Sequence, residues 1–146
     1  MSAFIRRPLV AVLACAALVA FAAPSIAATV NMKANLKGSS EVPPNDSKGT
    51  GSVDVTYDTA SGKLSWKGTY SGLSGPATAA HFHIAEVGKN GSIAIPIFAG
   101  AMAKSPFEGS ATLNASQTAA LNEGKFYVNV HTANHKGGEI RGQVTK

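Results

Sequence analysis

The sequence predicts an all-β domain, on three observations. Nearly every segment after residue 28 either alternates apolar and polar residues with a period of two or is rich in β-branched and aromatic residues. Gly, Pro, Asn and Asp turns break these segments at spacings of roughly 8 to 15 residues, the rhythm of short antiparallel strands. Helix signals are confined to one stretch of about two turns. About eight strands and one short helix are housed by an antiparallel two-sheet sandwich or a Greek-key barrel.

The chain opens differently. Arg6 and Arg7 precede the apolar run LVAVLACAALVAFAA, which gives way to the small residues of PSIAA. Charged, apolar and small-residue regions in that order describe a secretory signal peptide, so residues 1–27 are expected to be removed after Ala27 and residues 28–146 to form a single domain. The run is short, ends at Pro24 and has no stop-transfer charges after it, so no stable membrane anchor is expected. A secreted or periplasmic protein follows from this. Cleavage also removes Cys15, the chain's only cysteine, leaving a domain that a hydrophobic core or a metal must hold without a disulfide.

Strands are expected at 30–36, 51–57, 63–70, 79–87, 93–98, 107–113, 126–132 and 139–145. The turn DTASG at 58–62 joins the second and third into a hairpin, and in the third Leu64, Trp66 and Gly68 share one face, making Trp66 a core anchor. The helix signals lie at 114–124: Asn114 as cap, Gln117 three residues later to complete a capping box, and Gly124 as a left-handed stop. Ala119, Ala120 and Leu121 suit it to plug one end of the sheets. In the connection opened by EVPP, the tandem Pro43 and Pro44 stop the sheet from extending.

Several functions are excluded. Without Arg6 and Arg7 the domain carries eleven basic residues against eight acids, a net charge of +3, with no basic cluster to suggest nucleic acid. No GxSxG elbow or Ser, His, Asp set is visible, and the scattered acids offer no pair for hydrolysis, so an enzyme is not expected.

The histidines point elsewhere. In AHFHIAEVGKNG, residues 80–91, an extended strand puts Phe82 and Ile84 on one face and His81 and His83 on the other. Two imidazoles at that spacing have Cβ atoms roughly 6.5 to 7 Å apart, close enough to converge on one ion. In FYVNVHT, Phe126, Val128 and Val130 face one way, and Tyr127, Asn129 and His131 the other. His81, His83 and His131 thus form a candidate site for copper or zinc, imidazole being a common ligand for both. His135, in the turn NHKGG, is expected to be exposed. Arg141 should come close to Asn129 and His131 if the last strand pairs with FYVNVHT, and is read as an ordinary cross-strand ion pair with Glu139 or Glu86. Nothing places Glu41 near the histidines.

Four segments, LKGSSEVPP (36–44), GKLSWKGTYSGL (62–73), AHFHIAEVGKNG (80–91) and YVNVHTANHKGGEIRGQV (127–144), resemble in this order the CHRD domain. That module is repeated in the animal protein chordin and found singly in many secreted bacterial proteins. The resemblance spans essentially the whole chain after the leader and implies an extracytoplasmic module without a common biochemical activity. The strand HFHIAEVGKNG is also similar to the His-x-His strand of copper-zinc superoxide dismutases, but the histidine-rich loop and disulfide of those enzymes are missing. The expectation is a secreted binding module, most concretely for copper or zinc. The alternatives are a metal-free module binding an extracytoplasmic protein or surface polymer, and a dismutase-like redox enzyme.

Overall fold

The computed structural model describes residues 28–100 and 103–146, so the expected leader lies outside the described residues. Eight antiparallel strands form one sheet: β1 (Thr29–Lys37), β2 (Thr50–Asp58), β3 (Lys63–Ser71), β4 (Ala77–Ile84), β5 (Ser92–Ala99), β6 (Phe107–Thr112), β7 (Phe126–Thr132) and β8 (Ile140–Gln143). Among the described residues one α-helix, α1 (Ala115–Asn122), lies between β6 and β7, and a 3-10 turn (Gly38–Ser40) follows β1. The order across the sheet is β5-β4-β7-β8-β1-β2-β3-β6, and it curls into a nearly closed barrel. Of the two expected architectures the barrel is the one formed. Aromatic rings close the seam, with Phe98 of β5 standing edge-on to Phe107 of β6 at 5.3 Å between centroids.

Alternation dictates the interior. Met32, Ala34 and Leu36 of β1, Val53, Val55 and Tyr57 of β2, and Leu64 and Trp66 of β3 all point inward and are buried. From the other side come Ala80 and Phe82 of β4, and Phe126, Val128 and Val130 of β7. Trp66 is the expected anchor, meeting Phe82 edge to face at 5.2 Å. The Asp58 turn forms as expected, its Oδ1 accepting from the backbone N–H of Ala60 and Ser61, and Gly62 adopts φ +69°.

The capping box of α1 is complete, with Asn114 Oδ1 accepting from Gln117 N–H and Gln117 Oε1 from Asn114 N–H, both at 2.9 Å. Gly124 ends the helix at φ +70°, and Ala120 and Leu121 pack into the barrel. The last strand is shorter than its alternating pattern suggests. β8 stops at Gln143, and Thr145 makes only an isolated bridge to Lys33. Here the strand passes close to β1: a Cβ on Gly142 would collide with the Asn35 carbonyl oxygen, so only glycine fits. No described helix is long and apolar enough to cross a membrane.

The two middle strands of one wall carry the three clustered histidines. β4 and β7 pair with Ala79 opposite His131, His81 opposite Asn129, and His83 opposite Tyr127. All six residues point out of the barrel, back to back with the apolar row of Ala80, Phe82, Val128 and Val130. β5 flanks them on the other side with two bulges, at Ala94 and Ile97, opposite the stretch that carries His81 and His83.

Candidate metal centre

Outward-facing residues of a barrel usually meet water. Here Tyr127, Asn129 and Arg141 are almost completely buried, and His83 is only 8 % exposed. The cover is a set of loops pinned to the wall by named hydrogen bonds. Arg141 donates from one guanidinium nitrogen to the Lys89 carbonyl (2.5 Å) and from the other to Asn90 Oδ1 (3.1 Å). Asn90 Nδ2 in turn donates to the Val42 carbonyl, tying the 85–91 loop to the EVPP segment.

His81, His83 and His131 come together under this cover. One ring nitrogen of each lies within 4.8 Å of the others. An ion with Zn–N bonds of about 2.0–2.1 Å holds tetrahedral donors about 3.4 Å apart, so small ring rotations complete the convergence. Backbone carbonyls fix two of the rings. His83 Nδ1–H donates to Gly91 (3.0 Å) and His131 Nδ1–H to Lys136 (2.9 Å), which leaves both Nε2 atoms as bare lone pairs. The His131 Nε2 faces His81 Nδ1 at 3.1 Å. The His83 Nε2 is buried and makes no close hydrogen bond among the described residues, although the Asn129 side chain lies near enough to act on the ring.

All three imidazoles are held neutral near pH 7. Burial pushes each below its ordinary value, and for His81 the neighbouring His131 and His83 add to the effect, bringing it down to about 4. The carbonyls of Gly91 and Lys136 act in the opposite sense on His83 and His131, and the Asn129 side chain does so on His83, but they do not outweigh burial, to which His131 and Arg141 add at His83. A neutral imidazole with an exposed lone pair is the form that coordinates a metal.

A family model for the CHRD domain matches residues 32–144. The chain belongs to the CHRD family. No curated protein and no solved structure gave a match. Within this CHRD domain the matched span contains the whole cluster and the residues that cover it.

The strand faces therefore bring His81, His83 and His131 together, and His135 is not part of the group. Arg141 sits opposite Asn129, as strand pairing requires. Its expected ion pair does not form. Its guanidinium instead lies 3.4 Å from the centroid of the Tyr127 ring, and its donors go to the 85–91 loop. Glu139 is fully buried elsewhere, accepting from Ser47 Oγ, Ser74 N–H, Ser74 Oγ and Thr132 Oγ1. The strand pattern hides this, because Ser47 and Ser74 come from loops that fold over the barrel wall to join Thr132 at the end of β7.

Glu41 is the residue whose place the sequence conceals most. It is 5 % exposed and packs against Gly138, where a Cβ would collide with Glu41 Oε1 and come within 2.6 Å of Asn129 Nδ2. Burial raises its carboxyl to about 7, against the pull of Arg141 and a hydrogen bond from Val42 N–H. The folded protein thus keeps a proton that the unfolded chain loses above about pH 4.5, and stability from this group falls as pH rises through the window from 4.5 to 7. Glu41→Gln should narrow the difference in Tm between pH 5 and pH 8 by about 5 °C relative to wild type. Parallel pH profiles of the two proteins would show that Glu41 is not held protonated.

Proposed function

We propose that this CHRD domain is an exported binding module that holds one copper or zinc ion through His81, His83 and His131. The observation that carries this reading is the convergence of three neutral imidazoles within 4.8 Å, two with their Nε2 lone pairs freed by backbone carbonyls. The buried His83 ring has the Asn129 side chain as its one further polar neighbour, and its Nε2 makes no close hydrogen bond that a metal would have to displace. Imidazole-only donors suit copper and zinc, and would exclude water poorly on the side of the part-exposed His81 and His131. The leader at 1–27 supports export.

With three histidines and no second histidine-rich loop, bound copper is held as cargo or as a structural ion and not turned over as in a dismutase. Titrating the metal-stripped domain with Cu(II) and Zn(II) tests the reading. One ion per chain should bind to wild type, with affinity lost by at least a hundredfold in the triple variant His81→Ala, His83→Ala, His131→Ala. Equal, weak binding by both proteins would reject the metal and leave the metal-free interaction module.

A further inference from the structure

Arg141 poses a problem for a metal site, because it places a buried positive charge next to ligands that are to receive a cation. Among the described residues it makes no ion pair with a carboxylate, and it is only 2 % exposed. A cation kept there against both desolvation and the approach of a metal must do something a neutral side chain cannot.

Besides the pull of its charge on Glu41, its side-chain contacts with Tyr127 and the 85–91 loop lead to His83. The guanidinium covers one face of the Tyr127 ring at 3.4 Å, and the other partner of that ring is His83, stacked nearly parallel (7°) at 4.9 Å between centroids. Tyr127 reaches the same histidine by a second route, since its hydroxyl accepts from Gly91 N–H (3.1 Å) and Gly91 supplies the carbonyl that takes the His83 Nδ1 proton. Arg141 fixes the same loop just ahead of Gly91 by bonding Lys89 and Asn90. Two strands and one loop thus converge on a single imidazole. A planar fork that both stacks on an aromatic ring and donates in two directions is a property of arginine that lysine lacks.

We propose that Arg141 and Tyr127 are positioning residues of the metal centre, which hold His83 in the Nδ1–H tautomer with Nε2 turned to the ion through the guanidinium, phenol and imidazole stack and the 85–91 loop. The proposal rests on the metal reading of the site. Neither residue touches the ion. Their role is to make His83 the pre-set ligand, against which the more exposed His81 and His131 close.

Two measurements separate this from a merely structural role. In Cu(II) and Zn(II) titrations Arg141→Gln should weaken binding about 10- to 100-fold with one ion per chain retained. Arg141→Lys should not restore it, and Tyr127→Phe, which keeps the ring and loses the acceptor for Gly91, should show a smaller loss. Val53→Ala, a core truncation on β2 remote from the site, should lower Tm and leave affinity unchanged. The second measurement needs no metal: ¹⁵N chemical shifts should report His83 as the Nδ1–H tautomer in wild type and as a mixture of tautomers in Arg141→Gln, with Tyr127→Phe as the substitute if that variant does not fold. An unchanged His83 tautomer in these variants, or equal loss of affinity in Val53→Ala, would overturn the proposal. Should wild type bind neither metal, the metal-binding function fails and the tautomer measurement alone decides the positioning role.

Discussion

Glu139→Ala is expected to destabilise the domain by about 4 kcal/mol, a large part of the 5–15 kcal/mol typical of a domain this size. The carboxylate is completely buried and takes four hydrogen bonds, from Ser47 Oγ at 2.7 Å, Ser74 N–H at 2.6 Å, Ser74 Oγ at 2.8 Å and Thr132 Oγ1 at 2.6 Å. Removing it leaves the buried Thr132 hydroxyl and three part-buried donors without an acceptor, and it loosens two loops whose remaining ties here are Asn45 to the Glu139 carbonyl and Asn134 to the Ser74 carbonyl. Glu139→Gln, which keeps the shape and one acceptor oxygen, should cost about half as much. Burial alone would raise this carboxyl, but the bonds from Thr132, Ser47 and Ser74 outweigh it and bring it down to about 2. Its contribution is therefore complete above pH 4.5 and is lost as pH falls towards 2, a dependence that Glu139→Gln should remove. Urea unfolding of the three proteins at pH 7 and pH 3 measures both effects. A loss under 1 kcal/mol in Glu139→Ala would mean that water replaces the carboxylate at little cost.

Neighbouring residues of β4 should respond to mutation in opposite ways. Phe82→Ala is expected to cost about 3–5 kcal/mol, because Phe82 is fully buried between Trp66 and Phe126 and the barrel wall cannot collapse to fill the space. His81→Asn, one residue earlier on the outward face, should cost under about 1 kcal/mol in the metal-stripped protein, since a part-exposed imidazole gives up one hydrogen bond with His131 and edge contacts with the His83 and His131 rings. Adding a metal should reverse the order of importance for ligand-induced stabilisation: wild type and Phe82→Ala gain Tm, and His81→Asn gains little. Equal destabilisation by the two substitutions would show that the faces of β4 are not divided between core and site.

These contrasts mark what the sequence makes visible. Strand alternation is a local property, so the inward row through Phe82 and the outward set of His81, His83 and His131 can be read without knowing which strands pair. The order β5-β4-β7-β8-β1-β2-β3-β6 cannot, because pairing joins residues far apart in the chain. The buried glutamates escape for the same reason. Glu139 finds its donors 92, 65 and 7 positions away, and Glu41 packs against Gly138 only because the EVPP connection lies down on a distant part of the chain. Arg141 is legible as a neighbour of Asn129 and illegible as a partner of Tyr127, since the stack depends on which way the guanidinium turns once the 85–91 loop is in place.

The position of β8 governs when the molecule can become whole. It is four residues long, comes after the other seven described strands, and is the sole hydrogen-bonded link among them between the group β5-β4-β7 and the group β1-β2-β3-β6. Until it arrives, β1 has no neighbour on one side and waits for a partner more than a hundred residues away, as Lys37 does for Arg141. Such a pairing carries a heavy loop-closure cost and forms late. The polypeptide therefore stays as two open ribbons until β8 has been made, with its apolar rows unburied and its clustered histidines, all on β4 and β7, still without Arg141. For a chain that we propose is exported, a keystone strand made after all the others delays closure of the barrel, and burial of its apolar rows, until that strand too has crossed.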